Sequence, residues 1–471
     1  MRKLQLMPTK ISNRYLLILI LIGLFSYPVY CGLQIASIGA AYKAKLLCTN
    51  TFFAGRKPDI VLREDLSGPE RFISSNIDYS NKSVSTWFPG IMTQQAFYLD
   101  GLGCVWSADL EENKFKALSK HWTTEIKANP IASKTSAFIE NFNHPAFDQL
   151  PLKTAIDNAF AETDADTATR TRALLVVYQG QLVAERYAQN ITKDTPLQGW
   201  SMTKSVLNAL VGILVKQGKL SIDQKAPISS WAKVEDPRSS ITLDHLLHMS
   251  SGLQFDETAG AAVTDLSEML FLSPNTAAFA INKPLAYPPG THWQYSSGTS
   301  NIISHIVRVA SGGSTADVVN LLFKELFIPL GMQQAIIEPD SSGNLIASSY
   351  MYATARDWAR FGLLYLQNGL WEGKQLLEQS WVRYSSTPTP TAAKGQYAAH
   401  FWSNGGLTSK PINRPFSSLP GDLYYADGYK GQHVIIIPSH QLVIVRLGWT
   451  DAPTPQYMES MVGEILNAKT D

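Results

Sequence analysis

Trp200-Ser201-Met202-Thr203-Lys204 opens a run in which Val206, Leu207, Leu210, Val211, Leu214 and Val215 recur at helical spacing, and Gly218 closes it as a helix C-cap would. A helix therefore begins at or next to Ser201. Lys204, three residues on, shares a face with Ser201 and lies within its reach. The free N–H groups at the helix start sit where an oxyanion would develop in front of Ser201. A serine hydroxyl needs an adjacent base before it can attack a carbonyl. Lysine serves as that base only if burial or cationic neighbours lower its pKa, and the apolar run after Lys204 supplies burial. Composition alone favours a plain N-cap role for Ser201. A second Ser-x-x-Lys match, Ser230 to Lys233, lies in a turn after Pro227 and opens no apolar helix. It is read as a chance occurrence on a solvated face.

Upstream, Ala173–Tyr178 and Leu182–Tyr187 flank Gln179-Gly180-Gln181, a β-hairpin signal. Before it, Leu152, Ala155, Ile156, Ala159 and Phe160 have helical spacing. Downstream, turns at Pro227, Ser251-Gly252, Pro288-Pro289-Gly290 and Pro329 punctuate a largely helical middle. Two β-branched runs, Gln432–Ile437 and Gln441–Leu447, joined by Pro438-Ser439-His440, predict neighbouring antiparallel strands, and Tyr457–Ala468 a final helix. Strands at both ends with helices between predict an α+β domain over residues 146–471. Its single antiparallel sheet is assembled from both ends of the chain, and a helical insert spans about 205–420. Residues 43–145 form an extension with strand-like stretches Arg71–Tyr79, Ser83–Phe88 and Gln94–Leu99, to which no chemistry is assigned.

The formal net charge is +1, which excludes a broad basic field for nucleic acid. The N-terminus stands apart. Arg2, Lys3, Lys10 and Arg14 precede an uncharged stretch from Tyr15 to Tyr42 whose core, Leu16–Phe25, is almost pure Leu and Ile. That is the pattern of a secretory signal or a signal anchor. A retained anchor over residues 1–42 is favoured over cleavage after Gly39, Ala40 or Ala41. Positive residues stay in the cytoplasm, so the bulk of the chain is expected outside the inner membrane, facing the periplasm. That side is oxidising in a bacterium, so Cys48 and Cys104 are expected to form a disulfide.

Four stretches of the chain, in order, resemble the serine β-lactamase-like family of class C β-lactamases, family VIII esterases, D,D-peptidases and 6-aminohexanoate-dimer hydrolases. They are Ser201-Met202-Thr203-Lys204; the segment from Ile241 to Leu253; Pro288-Pro289-Gly290 with Tyr295-Ser296-Ser297; and Gly428-Tyr429-Lys430-Gly431-Gln432. The resemblance implies a β-lactamase/penicillin-binding-protein-like fold. It implies that Ser201 attacks the substrate carbonyl and becomes acylated, and that Lys204 takes or relays its proton. It implies that Tyr295 protonates the leaving group, with an oxyanion hole made of the N–H groups of Ser201 and Tyr429, the latter on the edge strand. Two departures narrow the activity. Ser297 stands where the family's Tyr-x-Asn motif has its amide. Ala426-Asp427-Gly428 stands where lactamases have Lys-Thr-Gly, so an anion replaces the cation and hydroxyl that hold a β-lactam carboxylate. The expected substrates are esters or linear amides.

Ser297, Asp427, Gly428 and His433 are expected to line the substrate pocket. Lys430 is expected on the sheet's other flank if the strand stays regular there. His245 and His248 read as structural, Asp256-Glu257 as a solvated turn, and Trp358, Phe361 and Tyr365 as core. Neither a metal nor an organic cofactor is called for by any motif. The competing reading is a catalytically silent penicillin-binding-like scaffold or sensor at the cell envelope.

Overall fold

The computed structural model describes residues 13–88, 91–107, 138–162, 169–258, 263–407, 414–450 and 455–470, with side chains before residue 29 and at 91–92 left outside. The chain begins with helix α1 (Asn13–Phe52), whose second half packs on a four-stranded antiparallel meander. The strands are β1 (Ser74–Asp78), β2 (Ser83–Phe88), β3 (Ile91–Leu99) and β4 (Gly103–Ser107). The first is shorter than its sequence suggests because Pro69–Phe72 forms a 3-10 turn instead. The Thr86 hydroxyl donates to Ala40 O at 2.8 Å, and Gln94 Nε2 to Ser37 Oγ at 2.8 Å, so this half of α1 is part of the fold. The boundary expected at residue 42 falls inside the helix. Among the described residues no helix is long and apolar enough to cross a membrane, and the side chains of the apolar core Leu16–Phe25 lie outside them.

Beyond α2 (Gln149–Ala159) and the two-residue β5 (Ile139–Glu140), β6 (Thr171–Tyr178) and β7 (Gln181–Tyr187) form the expected hairpin. Gln179 and Gly180 both have positive φ, 49° and 79°, as a type I′ turn requires. The insert follows. Its parts that matter here are α3 (Thr203–Lys216), α4 (Asp265–Phe271), α5 (Ser297–Ser311) and α6 (Ala355–Leu366). The chain then returns to the sheet as β8 (Trp402–Ser403), β9 (Tyr424–Gly428), β10 (Gln432–Ile437) and β11 (Leu442–Gly448), and ends in α7 (Pro455–Asn467).

The sheet order is β8-β9-β10-β11-β6-β7-β5. β11 pairs antiparallel with β6, Val445 opposite Leu175, which closes one sheet from both ends of the chain. Every residue of β6, β10 and β11 is buried, so the strands read as continuous apolar runs covered on both faces. On one face α2 and α7 cover Leu174, Val176, Ile435 and Ile444. On the other, α6 covers Leu175, Val434 and Val443, and its Trp358, Phe361 and Tyr365 are core, as expected.

Buried charges join the N-terminal layer to the main domain. Lys45 Nζ lies 2.8 Å from Glu338 Oε2, both side chains fully buried. Glu338 Oε1 also accepts from the Thr49 hydroxyl and the Cys104 N–H, each at 2.6 Å. Asp65 receives Arg56 and Arg172 in the same way. Such pairs hold only if both members remain, since an orphaned buried charge costs about 3–5 kcal/mol. Cys48 and Cys104 are joined by a disulfide, which ties α1 to β4.

Candidate active site

Ser201 sits in a 3-10 turn, Trp200–Met202, that leads straight into α3. Residues Thr203 to Leu214 of that helix are all buried. Trp200 has φ 49°, an unusual conformation for a bulky residue and one that clusters at functional sites. Its ring is held among Tyr42, Tyr350, Tyr429 and Trp449, with centroids 5.4–6.4 Å away. Two close backbone approaches fix the turn. A Cβ on Gly199 would strike the Trp358 ring, and one on Gly428 would strike Gly199 O. The end of β9 is thereby pressed against the start of the Ser201 turn.

Lys204 Nζ lies 3.0 Å from Ser201 Oγ, 3.1 Å from Ser297 Oγ and 2.8 Å from Ser348 O. Three acceptors match the three hydrogens of an ammonium. When the amine is neutral, two N–H groups can stay on Ser297 and Ser348 O while the lone pair faces Ser201. Burial lowers the Lys204 pKa to about 8, and the nearby Glu257 and Asp427 charges resist that fall. Ser297 donates in turn to Glu257, through its hydroxyl at 2.5 Å and its backbone N–H at 2.7 Å. Burial raises the Glu257 pKa; the Lys204 charge and the two Ser297 bonds oppose it. A chain therefore runs from Ser201 through Lys204 and Ser297 to Glu257. At the third position of Tyr295-Ser296-Ser297 this chain thus presents a hydroxyl backed by a carboxylate.

Tyr295 lies over Lys204, whose Nζ is 4.9 Å from its ring centroid, and stacks on Trp402 with Tyr397 edge-on. Burial first, then Tyr397 and Glu257, push its hydroxyl well above the ordinary range, while the neighbouring Ser201 hydroxyl acts the other way. The segment from Ile241 to Leu253 positions it. Gln294 N–H donates to Met249 O and Gly290 N–H to Ser250 O, so the long motif is a cradle for the Tyr295 loop. His245 and His248 are structural within it: Nδ1 of His245 accepts from Thr242 N–H in a capping box, and His248 lies 2.9 Å from Asp244. His400 reinforces the other side, with Nδ1 at 3.0 Å from Lys204 O and a pKa lowered by burial to about 3. It donates there as a neutral ring.

Of β9, Tyr424 and Tyr425 pair with β8, and Ala426–Gly428 beyond them form the sheet edge beside the cleft. Tyr429 lies just past that edge, its ring 5.4 Å from Trp200. Asp427 reaches the cleft, and its Oδ1 is 3.0 Å from Nδ1 of His433, its cross-strand partner. His433 and Gly428 border a smaller adjoining cavity of about 310 Å³, not the Ser201 cleft. Lys430 does not follow the strand period to the other flank. β9 ends at Gly428, and Lys430 lies in the turn with φ 66°, bordering the cleft. The Asp256-Glu257 pair is a further correction. Asp256 is exposed and holds Thr258, but Glu257 turns inward to Ser297. No spacing pattern marks it, because its partner lies 40 residues away. The second Ser-x-x-Lys match is exposed at both Ser230 and Lys233, as expected.

A family model for beta-lactamase matches residues 156–459. The chain belongs to the beta-lactamase family. Within it, a 6-aminohexanoate-dimer hydrolase of Paenarthrobacter ureafaciens is 24% identical over 323 residues, 64% of this chain and 78% of that protein. Esterase EstB of Burkholderia gladioli is 30% identical over 171 residues, 33% of this chain and 42% of the esterase. A penicillin-binding protein homolog from Caulobacter crescentus shares the fold, with TM-score 0.52 and 14% identity over 68% of this chain and 97% of that one. The beta-lactamase match leaves α1 and the whole β1–β4 meander outside it.

Proposed function

We propose that this protein is a serine hydrolase that cleaves esters or linear amides through an acyl-serine intermediate. The observation that carries the proposal is the 3.0 Å contact between Ser201 Oγ and a buried amine whose pKa falls to about 8. Above that pH neutral Lys204 takes the Ser201 proton as Oγ bonds to the substrate carbonyl carbon. The N–H groups of Ser201 and Tyr429 hold the resulting oxyanion. Tyr295 gives its proton to the leaving oxygen or nitrogen, the C–O or C–N bond breaks, and Lys204 returns a proton to Tyr295. Water then attacks the acyl-serine by the reverse route, releasing the acid and restoring the Ser201 hydroxyl. Glu257, through Ser297, stabilises Lys204 while it is positively charged.

Asp427 sets the substrate preference. An anion where lactamases carry a cation disfavours substrates with a carboxylate at that point. An esterase and an amide hydrolase among the relatives are consistent with this choice. We also propose that the chain is exported and retained at the membrane by its N-terminal segment, facing the periplasm. The basic flank, the apolar run Leu16–Phe25 and a disulfide suited to an oxidising compartment support that reading. The test is a panel of p-nitrophenyl esters beside nitrocefin. Ester turnover that disappears in Ser201→Ala, with little nitrocefin turnover, is expected. Efficient nitrocefin hydrolysis would refute the role given to Asp427.

A further inference from the structure

We infer that the substrate carries a long acyl chain and is drawn from a lipid bilayer; this rests on the hydrolase reading above and names its substrate class. The cleft over Ser201 measures about 980 Å³, at the upper end of the roughly 300–1,000 Å³ of small-molecule sites. Its far wall is α1. Gly32, Ile35, Ala36, Gly39 and Tyr42 line it at i, i+3, i+4, i+7 and i+10, an uncharged helical stripe with Ile38 beside it. Gly32 leaves open space at the outer end of that stripe, and Gly39 lets Ile73 pack close against the helix. Tyr42 closes the inner end, 6.4 Å from Trp200 and 5.5 Å from Phe271 between ring centroids. At 1.5 Å per residue, Tyr42 to Gly32 spans about 15 Å. That equals half of a hydrocarbon core about 30 Å thick, the reach of one leaflet's acyl chain.

Polarity runs along the cleft in the sense this substrate needs. Glu257, Asp427 and Lys430 gather at the Ser201 end. Two further carboxylates reach the wall: Asp65, paired with Arg56 and Arg172, and the half-buried Glu70, whose Oε1 accepts from the Gly68 N–H at 2.8 Å. At the mouth, large apolar side chains face solvent. Phe72 is 67% exposed, Ile35 45% and Phe88 39%. Grouped exposed apolar residues mark a membrane or binding surface. One turn further out on α1, Val29 and Tyr30 are also exposed. Gly32 is only seven residues, about 10 Å, from Phe25, the end of the apolar run. A helix anchored through that run holds the mouth at the bilayer surface, with the groove continuing the direction of the lipid chains.

The experiment uses the full chain in phosphatidylcholine vesicles, with p-nitrophenyl acetate and p-nitrophenyl dodecanoate as probes. Fluorophosphonate labelling of Ser201 and acetate turnover report the hydrolase reading by themselves. The inference predicts kcat/KM for the dodecanoate at least tenfold above the acetate. It also predicts that Ile35→Glu with Phe72→Glu lowers the dodecanoate-to-acetate ratio at least tenfold. Gly32→Phe is a second probe, because a Cβ there meets nothing within 4 Å, so the groove is blocked without a clash. It is expected to lower the same ratio. Labelled, acetate-active protein with a ratio at or below one, or a ratio unmoved by both sets of variants, overturns the inference and leaves the hydrolase reading standing. Neither label nor turnover of either ester overturns both.

Discussion

Glu257→Gln separates the electrostatics of the site from its packing. The amide keeps an oxygen to accept from Ser297 but removes the charge. Ser297 Oγ is 3.1 Å from Lys204 Nζ and 2.5 Å from Glu257 Oε1, so the two charges stand no more than about 5.6 Å apart. At that separation Coulomb's law gives about 0.7 kcal/mol in a water-like medium and about 3 kcal/mol at an effective dielectric of about 20. One pKa unit is about 1.4 kcal/mol, so losing the charge lowers the Lys204 pKa by about 0.5–2 units. The sign follows from the cause: Glu257 favours the ammonium, and without it the amine deprotonates at lower pH. The assay is kcat/KM for p-nitrophenyl acetate against pH at constant ionic strength, which reports groups of the free enzyme. The wild-type ascending limb should centre near pH 8. In Glu257→Gln it should move to about pH 6–7.5, with some loss of plateau rate because charged Lys204 is less well stabilised. A limb that stays in place, or moves upward, refutes the Lys204–Ser297–Glu257 coupling.

Other outcomes follow from the same geometry. Lys204→Met should abolish fluorophosphonate labelling yet leave thermal stability at pH 7 intact, because a buried lysine with pKa about 8 against 10.5 costs about 3 kcal/mol there. Between pH 8 and 10.5 the unfolded chain binds more protons at this group, so wild-type stability should rise with pH over that window and Lys204→Met should lack this contribution. Cys104→Ala opens a disulfide of sequence separation 56 and should cost about 2–4 kcal/mol in denaturant unfolding. Two free thiols in exported protein, seen by mass spectrometry, would remove that expectation. Asp427→Asn should raise the rate for a carboxylate-bearing ester relative to a neutral one by several-fold; an unchanged ratio would mean that Asp427 does not face the substrate.

The parts of this protein legible in its sequence are those fixed by short-range periodicity. The Ser201 helix, the Gln179-Gly180 hairpin and the last strand pair each carry apolar spacing and turn chemistry within about 20 residues, and each formed as read. The shared helix face of Ser201 and Lys204 is legible for the same reason. Groups whose partners are distant in sequence were not. Glu257 faces Ser297 only because the helical insert folds back, and Asp256 beside it does point to solvent. Lys430 departs from strand alternation because its turn puts it in the left-handed region, which no pattern in Gly428-Tyr429-Lys430-Gly431 reveals. The largest gap is α1: charge and apolarity mark its first half, but nothing in the sequence says that Tyr42 walls the cleft over Ser201.

The most direct test of the account is mass spectrometry of the protein quenched during turnover of p-nitrophenyl acetate at pH 9, where Lys204 is mainly neutral. The account predicts one acetyl group, located on the peptide that holds Ser201, and absent from Ser201→Ala and Lys204→Met. Steady turnover with no such adduct, or an adduct on another residue, would contradict it.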